Sequence, residues 1–351
     1  MKPLTLAVVV TAVLAAPAAG QIFRWLAFGD SITRGWSDEA GLGGYPGRLE
    51  DDFGCTPSTC EVFNAGQSFE TAAEGVTRID QVLNNNGPFD VAMIMEGTND
   101  IWGPNNINQI SIPTIVFNLD TIASKAEAAG VEAVPTSIIW FHPDGHPKNP
   151  IRNPLIQNLR NQLQSSASTN ARLFVDQWSI LCPAGGGQSA CFDNHYWHDP
   201  DTGLPDVVGH PDASGFDLMA NEFFAVINAI PVPTPATPNS PSGEISDDTP
   251  TLIWTKESPA RATWYQVRIT PTGGTALQAW RKASQVCSGS TCSTMLASAL
   301  DDGNFSWQVM SRNARGRSDW SSPLNFTLTT SLIFSDSFES GDLGAWSSSQ
   351  P

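Results

Sequence analysis

From Phe23 onward the chain alternates short apolar runs with segments whose apolar residues recur every three or four positions. The runs Phe23–Phe28, Glu61–Asn64, Val91–Met95, Val131–Ile139 and Leu173–Val175 predict five strands. Val91–Met95 is continuously apolar, as expected of a strand covered on both faces. Helical spacing predicts helices over Thr71–Leu83, Ile112–Ala129, Pro154–Ser165 and Ala213–Ile227. Strand and helix in alternation predict an α/β fold with a mostly parallel sheet between helices. In such sheets the working groups gather at the C-terminal ends of the strands.

The pattern changes at Pro231. Residues 231–249 are rich in Pro, Thr and Ser and predict an extended linker. Beyond it the period drops to two, with Trp264, Gln266 and Arg268 alternating with Tyr265, Val267 and Ile269. Short strands are expected at Thr251–Thr255, Thr263–Ile269, Ala276–Arg281, Phe305–Met310 and Leu324–Leu328, giving a small all-β sandwich over 250–330 and leaving a tail at 331–351. At the other end, Lys2, the apolar Leu4–Ala16 and the small residues of Ala16-Pro17-Ala18 predict a secretory signal peptide over 1–20. That run is shorter than the roughly 20 residues of a membrane span, and none follows. The first globular domain is therefore expected over 21–230.

Charge and cysteine narrow the partners. The 18 Lys+Arg and 35 Asp+Glu leave a net charge of −17, which argues against nucleic acid and anionic membranes. With 40% hydrophobic and only 15% charged residues, the chain is not a disordered acidic one. The six cysteines fall into three close pairs, Cys55/Cys60, Cys182/Cys191 and Cys287/Cys292. Three local disulfides in an exported protein are the simplest reading; zinc is the rival, but no Cys-x2-Cys knuckle is present.

The chemistry concentrates in four segments. Phe28-Gly29-Asp30-Ser31-Ile32-Thr33-Arg34-Gly35 ends the first strand and presents a serine at the sheet edge. Asn64-Ala65-Gly66-Gln67-Ser68-Phe69-Glu70-Thr71 follows the second strand, Glu96-Gly97-Thr98-Asn99-Asp100 the third, and His210-Pro211-Asp212-Ala213-Ser214-Gly215-Phe216 precedes the last helix. Histidine is the natural general base near neutrality. Taken together, these four blocks resemble the SGNH (GDSL-type) serine hydrolases, over about Phe23 to Ile227.

The resemblance implies a flavodoxin-like three-layer α/β sandwich and a cofactor-free esterase working through an acyl-enzyme. It casts Ser31 as nucleophile and His210 as base, with the Ser31 N–H, the Gly66 N–H and the Asn99 amide as the oxyanion hole. The family places an aspartate three residues before the histidine, where this chain has Val207. Either Asp206, four residues before, or a backbone carbonyl orients the imidazole. Trp36 and Trp102 follow the Ser31 and Asn99 blocks and are candidates for lining the pocket. His195, His198, Asp193, Asp199, Asp201 and Asp206 form an acidic loop, read as solvated, with calcium as the metal if one binds. No metal is assigned.

Residues 250–330 resemble a fibronectin type III-like module, on Trp264–Ile269 and Arg312–Leu328. Trp280, Trp307 and Trp320 are its candidate binding face, and a spacer is the alternative. The expected protein is a secreted, bacterial-type, monomeric carbohydrate deacetylase of the acetylxylan-esterase kind. The alternatives are a short-chain aryl or lipolytic esterase, or an inactive polysaccharide-binding protein. Residues 1–230 carry 10 basic and 25 acidic residues, so neutral esters are expected to be preferred over anionic ones, less so in salt.

Overall fold

The computed structural model describes residues 22–103, 110–142, 148–178, 180–181, 195–206, 209–259 and 261–330. The signal peptide, Asp193 and the 331–351 tail expected above lie outside them. The described residues form two compact units, one of residues 22–233 with Arg312–Arg317, the other of 234–311 with 318–330.

The first unit is an α/β sandwich. Its sheet runs β2-β1-β3-β4, all parallel, from β1 (Phe23–Gly29), β2 (Cys60–Gly66), β3 (Val91–Met95) and β4 (Glu132–Pro135). Gly29 pairs with both Gly66 and Met95, so three strands end level at one edge. All five residues of β3 are buried, as their continuous apolarity predicts. The helices are α1 (Ser31–Arg34), α2 (Tyr45–Asp52), α3 (Ala72–Asn86), α4 (Thr98–Trp102), α5 (Ile112–Ala128), α6 (Asn149–Thr169) and α7 (Ala213–Asn228). α3 packs on α5 and α5 on α6, while α2 packs on α7 through a Tyr45–Phe223 ring stack at 4.8 Å. α3 starts on a capping box, with Thr71 and Glu74 satisfying each other's backbone N–H groups.

Three elements of this unit differ from the sequence expectation. The expected strand Val131–Ile139 is confined to Glu132–Pro135, with the Thr136 N–H still donating to the Ile94 carbonyl at 3.0 Å. Thr136 then forms a single bridge to Val175, and the expected fifth strand is reduced to that bridge. Helix α6 begins at Asn149 and carries Pro154 inside it, although a proline usually marks the first helical turn.

Arg312–Arg317 completes this unit from far along the chain. The Asp90 carboxylate accepts from Arg317 Nε at 2.9 Å, Arg312 Nη1 at 3.3 Å and the Arg24 N–H at 2.9 Å. Trp25 Nε1 donates to the Ala314 carbonyl at 3.2 Å.

The second unit is all-β. One sheet runs β10-β11-β7-β5 from β10 (Cys287–Ser288), β11 (Thr291–Met295), β7 (Thr251–Thr255) and β5 (Thr237–Ser240). The other runs β6-β14-β12-β8-β9 from β6 (Gly243–Ile245), β14 (Leu324–Leu328), β12 (Gly303–Asn313), β8 (Trp264–Pro271) and β9 (Leu277–Lys282), with β13 (Gly316–Arg317) paired to the end of β12. Strands β5 and β6 lie within the stretch expected as linker: paired backbone replaces the free extended chain that Pro-rich composition suggests. Trp307 is fully buried, with its indole N–H on the Pro241 carbonyl, so it belongs to the core and not to a binding face.

Of the three disulfides expected from the sequence, Cys55–Cys60 and Cys287–Cys292 are closed. The third expected disulfide, joining Cys182 to Cys191, lies outside the described residues, because Cys182 and Cys191 both fall in the stretch 182–194.

Candidate functional site

The level edge of β1, β2 and β3 carries the site. After Gly29 the chain turns at once into α1, with Asp30 capping it by accepting the Ile32 N–H at 2.9 Å. A Cβ at Gly29 would lie 2.4 Å from the Met95 carbonyl oxygen, so this turn requires glycine. Ser31 is thereby the first residue of α1, and its N–H has no acceptor among the described residues.

His210 comes from the loop ahead of α7, which Asp212 caps through the Gly215 N–H. Ser31 Oγ donates to His210 Nε2 at 2.8 Å. On the ring's far side, Nδ1 meets Asp206 Oδ2 at 2.5 Å. The same carboxylate accepts the backbone N–H groups of Gly209 and His210 at 3.1 and 3.2 Å. A separation of four residues thus still brings the Asp206 carboxylate to the ring. Ser31 and His210 are both buried.

The expected oxyanion donors divide. Asn99, in α4, gives one Nδ2 hydrogen to the Glu70 carbonyl at 2.7 Å, and its second has no acceptor among the described residues. The Gly66 N–H, expected to face the site, donates to Asn64 Oδ1 at 2.9 Å. The need for glycine there is one of packing: a Cβ would fall 2.1 Å from the Arg34 nitrogen, inside the backbone of α1. Among the described residues, the Ser68 and Phe69 N–H groups of this loop have no acceptor. Phe69 adopts φ +67°, a left-handed backbone that a bulky residue rarely takes, and its ring is 81% exposed. It precedes Glu70, whose carbonyl holds Asn99. Sequence reading passes over Phe69 because nothing in its residue type signals positive φ.

Buried carboxyls lie beneath. Burial pushes Asp30 up to about 6, against the Ile32 N–H and the nearby His210. Burial, then the charge of Asp30, pushes Glu96 well above the usual carboxylate range. Glu96 follows β3 immediately before Gly97, and although it opens the third sequence block it was given no role there.

At the mouth, Trp36 is 43% exposed, with its ring 4.4 Å from that of His210 and 5.4 Å from that of Trp197. Trp102 is half-buried at the end of α4, its carbonyl accepting from Arg152 Nη2 at 2.6 Å. His195 Nδ1 pairs with Ser214 Oγ and His198 Nδ1 with the Tyr196 carbonyl. Among the described residues, no group of three or more His, Cys, Asp or Glu side chains could hold a metal ion.

A family model described as GDSL-like Lipase/Acylhydrolase matches residues 27–218. No curated protein matches the chain. Among solved structures, the chain is similar to a lipolytic protein of the G-D-S-L family from Veillonella parvula, at 18% identity and TM-score 0.45 over 59% of this chain and 98% of that one. It is similar to an acetylxylan esterase from Geobacillus stearothermophilus at 18% and 0.45, over 59% and 94%. A GDSL-like lipase from Bacteroides thetaiotaomicron is similar at 22% and 0.43, over 59% and 88%.

Proposed function

Given that the chain belongs to the GDSL-like lipase/acylhydrolase family and is a carboxylic ester hydrolase, we propose that Ser31, His210 and Asp206 are its catalytic residues. The carrying observation is the unbroken line from Ser31 Oγ through the imidazole to the Asp206 carboxylate. Ser31 Oγ attacks the acyl carbon as its proton passes to His210 Nε2. Asp206 keeps the other ring nitrogen protonated and stabilises the imidazolium. The carbonyl oxygen, now an oxyanion, accepts from the Ser31 N–H, the second Asn99 Nδ2 hydrogen and the Phe69 N–H. One such donor is typically worth about 10²–10³ in turnover. Collapse expels the alcohol with the proton held by His210. A water deprotonated by the same imidazole then attacks the acyl-enzyme, and the acid leaves Ser31 free.

The substrate reading is the acetyl ester of a neutral polysaccharide. Trp36 supports it: a half-exposed indole beside the catalytic base offers a sugar ring a flat apolar face. The acidic balance of residues 1–230 disfavours anionic esters. The closed disulfides support an oxidising compartment and hence export. A third disulfide between Cys182 and Cys191 belongs to the same reading, and thiol titration of the denatured, unreduced protein should then find no free thiol. The second unit is read as a fibronectin type III-like spacer. Release of acetate from acetylated xylan, run beside p-nitrophenyl esters of increasing chain length, tests the substrate reading. Ser31→Ala should abolish both activities with the fold intact. Hydrolysis of p-nitrophenyl esters without any acetate release from xylan would favour the aryl-esterase alternative.

A further inference from the structure

Arg78 lies on α3, and the reaction outlined above does not use it. Its guanidinium nevertheless reaches three of the segments that converge on Ser31. Nε donates to Glu70 Oε1 at 2.6 Å, and Nη2 pairs with Glu70 Oε2. Nη1 donates to the Ala65 carbonyl at 2.9 Å, at the end of β2. Nη2 also reaches the Gly29 carbonyl at 3.5 Å, two residues before the nucleophile. The face of the group lies over the Phe28 ring, 4.1 Å from its centroid.

Glu70 has its side chain fully buried, and its own carbonyl is the acceptor that holds Asn99 Nδ2. The geometry points to Arg78 as a positioning residue for the oxyanion hole, acting on Asn99 and Phe69 through Glu70; this rests on the reading of Asn99 as an oxyanion donor. Three features make the role specific to arginine. Its planar fork fixes both carboxylate oxygens at once, while other donors of the same group are left for the Ala65 and Gly29 carbonyls. It supplies the positive charge that the buried Glu70 carboxylate needs. Its flat face packs on Phe28 of β1. A lysine would keep the charge and lose the fork, leaving the Glu70 loop free to shift. Misplacement of a catalytic group by about 1 Å can cost on the order of 10²-fold in rate.

A double-mutant cycle on the full chain tests this with p-nitrophenyl acetate, using Arg78→Lys, Asn99→Ala and the pair. Asn99→Ala should lower kcat by about 10²–10³. Arg78→Lys should lower kcat by about 10²-fold with KM little changed. In the Asn99→Ala background, Arg78→Lys should cost far less, because the group it positions is gone. Equal costs in both backgrounds would overturn the inference and leave Arg78 a purely structural residue. An unchanged kcat in Asn99→Ala alone would instead overturn the oxyanion reading itself. If Arg78→Lys does not fold, Glu70→Gln carries the same cycle, because it breaks the ion pair yet keeps the carbonyl. Additive losses there would count equally against the inference.

Discussion

Phe69→Gly tests whether the left-handed backbone of the oxyanion loop carries strain. Holding a non-glycine residue at φ +67° costs about 1–2 kcal/mol. Glycine removes that cost but loses up to about 1 kcal/mol in backbone entropy. The ring is 81% exposed, so roughly a fifth of a fully buried side chain's ~3 kcal/mol, or about 0.5 kcal/mol, is forfeited. The net change should lie within about 0.5 kcal/mol of zero. Phe69→Ala is the informative partner, because it forfeits the ring and keeps the strain. The glycine variant should therefore be the more stable of the two by up to about 1 kcal/mol, or about 2–4 °C in a unit of this size. Thermal unfolding of both variants reads the difference. Both keep the main-chain N–H, so turnover of p-nitrophenyl acetate should fall by far less than the roughly 10²–10³ of a lost donor. An alanine variant as stable as the glycine one would refute the strain argument. A glycine variant that had lost turnover on that scale would refute the assignment of the N–H.

Other substitutions read other parts of the site. Asp206→Asn should lower kcat by about 10⁴, because an amide nitrogen placed at Nδ1 favours the wrong imidazole tautomer; a near-normal rate would mean that a Ser–His dyad suffices. Because burial raises Asp30 to about 6, the folded state holds its proton where the unfolded chain does not. Stability should therefore fall as pH rises from about 4 through about 6, and Asp30→Asn should flatten that slope in urea titrations. A slope unchanged in the variant would remove Asp30 as its source. Gly66→Ala should destabilise by about 1–3 kcal/mol through the clash with the Arg34 nitrogen, and denaturant midpoints would show whether it does.

Much of the first unit was legible because its signals are local. A continuous apolar run fixed β3 to the residue, and helical spacing over Thr71–Leu83 anticipated α3. The blocks around Ser31, Asn99 and His210 were recoverable because each follows a strand or precedes a helix. Phe69, Glu96 and Arg78 were not, since each matters for what the folded chain places beside it. Phe69 matters for a dihedral angle, Glu96 for its burial, and Arg78 for carbonyls 13 and 49 residues away in sequence. The stretch 231–249 misled for the opposite reason: proline composition describes a chain without partners, and β5 and β6 found them.

The Arg312–Arg317 segment makes the order of synthesis matter. All residues up to Pro233 are made well before Asp90 can meet Arg312 and Arg317, or Trp25 the Ala314 carbonyl. Until then a carboxylate destined for the interior waits without its guanidinium partners, a deficit of about 3–5 kcal/mol by the usual cost of breaking a buried pair. A gene cut at the proline-rich stretch would encode every residue of the proposed chemistry and still yield an unfinished unit. The last third of the chain is therefore not an interchangeable appendage, and exchanging it for another β-module would have to preserve that six-residue hairpin.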